Sequence, residues 1–262
     1  MTMDEPSRSL PPWLAPAVQQ MELNNKLIVT LDEVHTYLPK LDRPRVRTAV
    51  SQLIARGWLH PTGVRGVYEF IPGAAAGPYP SGDPWLRLRA ELLIHPLTFH
   101  VGATSAAWLL GYAQRSPERH VVVVPSGTRV AELMRATYRV LETSPAPSTT
   151  MIESLPVPTP TELLAETAQL APRLNLDAAQ GWLRRLLADI TPEEVAEALR
   201  DRSPATRARA GYIVEACSAA DHAQAIADLG LPATGPFYTG GHHSDGRYSA
   251  RWNVYDSGRI AS

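Results

Sequence analysis

The chain has 262 residues, 44% of them hydrophobic and 19% charged, enough to bury the cores of two domains and too apolar for a disordered protein. It contains no run of about 18 apolar residues, so no transmembrane helix is expected, and its start, MTMDEPSRSLPP, lacks the basic patch and apolar stretch of a secretory signal. Net charge is −1 overall, but Lys40, Arg43, Arg45, Arg47, Arg56 and Arg65 crowd into residues 40–65 against the single acid Asp42. Charge concentrated in this way marks a site for a polyanion.

The elements follow in chain order. A first helix is predicted over 10–24, with Pro11 and Pro12 in its opening turn, followed by the short strand-like run Leu27–Val29. Thr30 with Glu33 forms a capping box for a second helix running to about Leu38, where Pro39 stops it. Asp42 and Pro44 open a third helix that runs to about Arg56 and is ended by Gly57. Val46, Val50, Leu53 and Ile54 form its apolar stripe, and Arg45, Thr48, Ser51 and Gln52 project elsewhere. Trp58–His60, a Pro61-Thr62-Gly63 turn and Val64–Phe70 then alternate as a small β-hairpin does. Helix, strand, helix, tight turn, helix, hairpin is the order of a winged helix-turn-helix.

Residues 73–82, GAAAGPYPSG, read as a linker. A second domain is expected over 83–262, opening at Asp83-Pro84. Further helix starts are expected at Thr104/Ser105, Thr159-Pro160, Thr191-Pro192 and Ser203-Pro204, with a helical block at about 160–229. Strand-like runs lie at His120–Val124, Thr137–Thr143, Met151–Leu155, Pro236–Tyr238 and Tyr248–Tyr255. The expected fold class is therefore α+β: an N-terminal winged helix-turn-helix over 1–72, then a larger mixed domain with a helical block.

DNA readout needs side chains that reach base edges from a helix whose other face is buried; Arg suits guanine and Gln suits adenine. Arg45, Thr48, Ser51 and Gln52 are the candidates for base edges. Arg43, Arg47 and Arg56 are placed for phosphates, and Arg65 sits at the hairpin tip. The other chemistry-bearing residues read as structural. His95, His100, His242, His243 and Asp245 lack metal-ligand spacing. Pro125-Ser126-Gly127-Thr128 lacks the second glycine and the lysine of a phosphate loop. The lone Cys217 excludes an internal disulfide and suits a reducing cytoplasm. No catalytic set and no cofactor motif can be picked out.

Three blocks together resemble the AbiEi family, the antitoxin half of abortive-infection toxin–antitoxin pairs, and within it the mycobacterial and actinobacterial branch. They are ARGWLHPTGVRGVYEFIP (55–72); DPWLRLRAELL with FHVGATSAAWLLGYAQRSPERHVVVVP (83–125); and the late pair RARAGYIVEA (207–216) and RYSARWNVY (247–255). The resemblance implies a cytoplasmic protein, on the nucleoid when bound to DNA, that represses its own operon at an inverted repeat. It also implies a second domain that counters a nucleotidyltransferase-like toxin, with no catalytic residues and no membrane partner. Family DNA contacts map onto Arg43, Arg45, Arg47, Thr48, Ser51, Gln52 and Arg65. Two other readings remain open: a winged-helix regulator whose second domain senses a small ligand, and an enzyme with an accessory winged helix.

Overall fold

Side-chain caps fix where the early helices begin. In the computed structural model, which describes residues 8–75, 77, 79–94, 99–230, 235–240 and 246–256, α1 spans Ala15–Leu23, β1 Ile28–Thr30, α2 Leu31–Tyr37 and α3 Arg43–Ala55. The expected capping box is formed: Thr30 accepts from the Glu33 N–H while Glu33 accepts from the Thr30 N–H. Asp42 accepts from the Arg45 N–H at 3.1 Å and starts α3. The first helix begins later than expected, because Pro11 and Trp13 are taken up in a turn closed by Leu14 N–H to the Pro11 carbonyl at 2.9 Å.

The hairpin is β2 (Leu59–Pro61) and β3 (Val67–Phe70). It gains a third strand that sequence left isolated. β1 pairs antiparallel with β3, Val29 opposite Tyr68, which places β3 at the centre in the order β1-β3-β2. Leu14, Met21, Val34, Val46, Val50, Leu53, Leu59 and Phe70 make the core under this sheet and the three helices. Arg8 fastens the two ends of the module. Its guanidinium donates to the carbonyls of Gly57, Ile71 and Pro72 at 2.8–3.1 Å and lies 4.8 Å over the Trp58 ring.

The chain divides into two compact units, Met1–Leu97 and Thr98–Ser262. Helix α4 (Leu86–Ile94), expected to open the second domain, packs instead on the first unit, where Leu86 and Ala90 join Ile28, Val67 and Val64 in one apolar cluster. The segment read as a linker is tied down on the same unit. Gly73 N–H donates to Glu22 at 2.9 Å, and Ser81 N–H donates to the fully buried Glu69 at 2.7 Å. A Pro/Gly-rich composition reports the absence of regular structure, not the absence of contacts, so these anchors were not visible in it.

In the second unit, β4 (His100–Val101), β5 (Val121–Pro125) and β6 (Arg139–Thr143) form a sheet in that order, β5 and β6 parallel with Val123 opposite Leu141. The run Val121–Val124 is buried throughout, as suits a central strand with a parallel neighbour. Between these strands lie α5 (Ala103–Leu109) and α6 (Glu132–Thr137). The run Met151–Leu155, expected as one strand, is the bend of a hairpin. β7 (Thr149–Ile152) and β8 (Leu155–Pro158) pair across Glu153 and Ser154, whose φ values of 48° and 63° are those of a tight reversing turn. Neither residue is Gly or Asn, which is why the turn carries no sequence signature.

The helical block stands where expected: α7 (Pro160–Leu170), α8 (Gln180–Asp189), α9 (Pro192–Leu199), α10 (Pro204–Ala216) and α11 (Ala220–Asp228). Thr191 and Ser203 cap α9 and α10 as predicted. The last sheet, order β10-β11-β9, consists of β9 (Phe237–Thr239), β10 (Arg247–Ser249) and β11 (Val254–Asp256). Tyr248–Tyr255 is thus a second hairpin rather than one strand, its turn made by Asn253 with φ 53°. The fold class is α+β, as expected.

Candidate nucleic-acid interface

Helix α3 carries Arg43, Arg45 and Arg47, with Arg56 as its C-cap. Its buried residues are Val46, Ala49, Val50 and Leu53. At about 3.6 residues per turn, Pro44, Thr48, Ser51 and Ala55 share the opposite stripe, and all four are exposed. That stripe is narrow and made of small side chains. Arg43 and Arg47 border it on one side, Arg45, Gln52 and Arg56 on the other. Of the four residues expected to project away from the apolar stripe, Thr48 and Ser51 hold the centre of the exposed face, and Arg45 and Gln52 stand at its margin.

The side chains differ in freedom. Thr48 Oγ1 donates to the Pro44 carbonyl at 3.3 Å and Ser51 Oγ to the Arg47 carbonyl at 3.0 Å, so each hydroxyl oxygen keeps its acceptor lone pairs. Arg43 meets Asp32 at 3.3 Å, but both side chains are more than 70% exposed, and such a pair is screened and easily exchanged. Arg56 is half-buried and donates to the Gln52 carbonyl at 3.4 Å. Arg45, Arg47 and Arg65 form no ion pair among the described residues.

The turn before α3 is held by His35 Nε2 against the Leu41 carbonyl at 3.0 Å. Below it, Lys26 Nζ meets Glu33 at 2.6 Å. Burial works against the Glu33 carboxylate, but the Lys26 ammonium and the Thr30 donors outweigh it and hold its pKa below the usual carboxylate range. In the hairpin loop, Thr62 Oγ1 donates to the Val67 carbonyl at 2.9 Å and accepts from the Val64 N–H at 3.2 Å. The loop reverses at Gly63 and Gly66, with φ of 81° and 78°, and presents Arg65 to solvent between them.

The second unit buries several polar groups. Glu166, on α7, meets His100 Nε2 and accepts from the Ala103 N–H at 3.1 Å, all of it buried. A Cβ at Gly102 would collide with both Val123 and the Glu166 carboxylate, so the chain needs glycine at that close approach. Ser105, expected to help start α5, sits inside it, and its Oγ accepts from the Val121 N–H at 2.8 Å. The part of the second sequence block around Ser105-Ala106-Ala107 is therefore the seam between α5, β5 and α7. Gly127 N–H donates to Glu142 at 3.3 Å, and a carboxylate there is the reverse of a phosphate cradle.

The late sequence pair is a second seam. Trp252, wholly buried, lies on Gly211 of α10 and donates from Nε1 to Glu215 at 2.6 Å. Tyr212 Oη donates to Asp256 at 2.6 Å and Thr239 Oγ1 donates to the other carboxylate oxygen at 2.8 Å. Burial, then the Asp256 hydrogen bond and charge, push the Tyr212 phenol well above its ordinary value. Burial pushes the Cys217 thiol up to about 11, the opposite of a reactive thiolate. Among the described residues no group of three or more His, Cys, Asp or Glu is placed to hold a metal; His95, His242, His243 and Asp245 lie outside the described residues.

The two-unit α+β fold is that of the RV2827C protein from Mycobacterium tuberculosis, whose crystal structure superposes with a TM-score of 0.76 over 97% of this chain and 94% of that one, at 22% identity. Residues 100–216 match the family model described as the AbiEi antitoxin C-terminal domain. Residues 100–216 are thus similar to that domain, and the match supports an antitoxin of a toxin–antitoxin system. No curated protein matches the chain. No helix among the described residues is long and apolar enough to cross a membrane.

Proposed function

We propose that the chain is an antitoxin that represses its own operon through a winged helix-turn-helix in the first unit and counters a nucleotidyltransferase-like toxin through the second. The observation that carries the DNA half is the face of α3: a stripe of small residues bordered on both sides by arginines, of which only Arg43 meets a carboxylate among the described residues. A helix with small side chains along its crest can sit deep in a major groove, with long cations at its margins in reach of the phosphates. Thr48 and Ser51 then face base edges, Arg45 and Gln52 reach bases at the groove wall, and Arg43, Arg47 and Arg56 hold the backbone. Arg65 enters the neighbouring minor groove or touches its backbone. One such helix reads few bases, so two molecules on an inverted repeat, with half-sites about 10 bp or a multiple apart, are the expected complex.

The antitoxin half rests on the matched domain at residues 100–216. The test is a gel shift and footprint on the chain's own promoter, beside growth rescue when the full chain is co-expressed with the product of the adjacent toxin gene. Retarded promoter DNA with two protected half-sites, together with rescued growth, is the expected outcome. Rescue without promoter binding would remove the repressor half, and binding without rescue would remove the antitoxin half.

A further inference from the structure

The second unit holds an open cleft of about 540 Å³, and the part of its lining from Tyr112 to Val121 falls in the second sequence block. Arg115, Arg119, Arg139 and Arg185 line it, and among the described residues no acidic side chain does. Three of these guanidiniums are tethered by one nitrogen to main-chain carbonyls: Arg119 to Tyr138 at 3.1 Å and to Arg135, Arg139 to Arg173, and Arg185 to Tyr112 at 2.9 Å. None meets a carboxylate among the described residues. The tethers hold the forks in place and leave their charge uncompensated. Four like charges around one cleft repel one another, a cost that an entering anion removes. Behind them, Val121, Leu174 and Trp182 supply an apolar wall.

We propose that this cleft binds a phosphate-bearing small molecule of nucleotide size. Its volume falls within the range of about 300–1,000 Å³ typical of small-molecule sites and far exceeds what a lone phosphate fills. Guanidinium forks match phosphate oxygens in pairs, and the apolar wall calls for a ligand with an uncharged body as well as a charged end. The proposal does not depend on the DNA reading, since every lining residue belongs to the second unit.

The test is calorimetric titration and thermal unfolding of the full chain with ATP, pyrophosphate and adenosine as probes. ATP is expected to bind at one site with a dissociation constant of about 0.1 mM or tighter, and to raise the unfolding temperature by mass action. Pyrophosphate competes more weakly, and adenosine alone does not bind. Arg115 is exposed and makes no hydrogen bond among the described residues, so Arg115→Glu leaves the unliganded unfolding temperature unchanged while weakening ATP at least tenfold. Arg115→Glu with Arg185→Glu abolishes it, whereas Arg45→Ala with Arg47→Ala on α3 leaves it intact. No ATP binding at several millimolar would overturn the proposal. So would pyrophosphate binding as tightly as ATP, or loss of binding through the α3 variant. Toxin binding lost in the Arg115/Arg185 variant of a chain that ignores ATP would likewise assign the cleft to an acidic protein segment instead.

Discussion

Gly211→Ala reverses the sign that helix propensity gives it. In an unobstructed helix, alanine is more stable than glycine by up to about 1 kcal/mol. At position 211 three ring carbons of Trp252 lie no more than 2.5 Å from where the new Cβ would stand, and that ring is wholly buried and held by Glu215. Either α10 moves off the β9–β11 sheet or the indole leaves its place. A buried tryptophan covers about 150–250 Å², which at roughly 25 cal/mol per Å² is worth about 4–6 kcal/mol. Partial displacement brings the cost to about 3 kcal/mol, in the range of overpacked cores. Less the propensity gain of about 1 kcal/mol, the expected net loss is about 2 kcal/mol. Gly181, on α8, has nothing among the described residues within 4 Å of its Cβ position, and Gly181→Ala is expected to stabilise by about 0.5 kcal/mol. Urea unfolding followed by circular dichroism, with hydrogen exchange at α10 amides to locate the change, measures both. Equal or stabilising effects at the two sites would show that Trp252 does not wedge against α10 and would refute the packing argument.

The other expectations concern the DNA face, a buried phenol and the unit boundary. Arg47→Ala should weaken all DNA sequences alike and lower the slope of log affinity against log salt by about one unit, whereas Thr48→Ala and Ser51→Ala should alter base preference at one position, read by competition with base-substituted operators. Uniform weakening by Thr48→Ala would refute its central placement. Tyr212→Phe removes a buried hydrogen bond to the Asp256 carboxylate and should cost about 1–3 kcal/mol near neutral pH. Because the folded phenol has a raised pKa, its stabilisation is complete below the unfolded value of about 10 and is lost as pH rises beyond it; the stability gap between wild type and Tyr212→Phe should therefore narrow above about pH 10, and a constant gap would remove the linkage. A fragment of residues 1–97 should melt several degrees above one of 1–72, since the shorter piece strips α4 from Ile28 and Val67; equal melting temperatures would mean that α4 adds nothing to the first unit.

Sequence alone determined whatever depends on near neighbours along the chain. Capping residues three apart, prolines in first turns and the apolar spacing of Val46, Val50 and Leu53 are local signals, and α2, α3, α7, α9 and α10 begin where those signals stand. The charge excess of residues 40–65 needs only counting, and the blocks that resemble AbiEi antitoxins fall on the β2–β3 hairpin, on α4, and at the α5–β5–α7 and α10–β11 seams. The tertiary structure decided everything that depends on distant partners. It joined β1 to the hairpin, placed α4 with the first unit, and turned 151–155 and 248–255 into hairpins through left-handed residues other than glycine. It also set Thr48 and Ser51, not Arg45 and Gln52, at the middle of the exposed face, since which residues lie opposite a core depends on what that core packs against. The four-arginine cleft could not be read from the sequence, because Arg115, Arg119, Arg139 and Arg185 come from segments up to 70 residues apart and only packing brings their charges to one place.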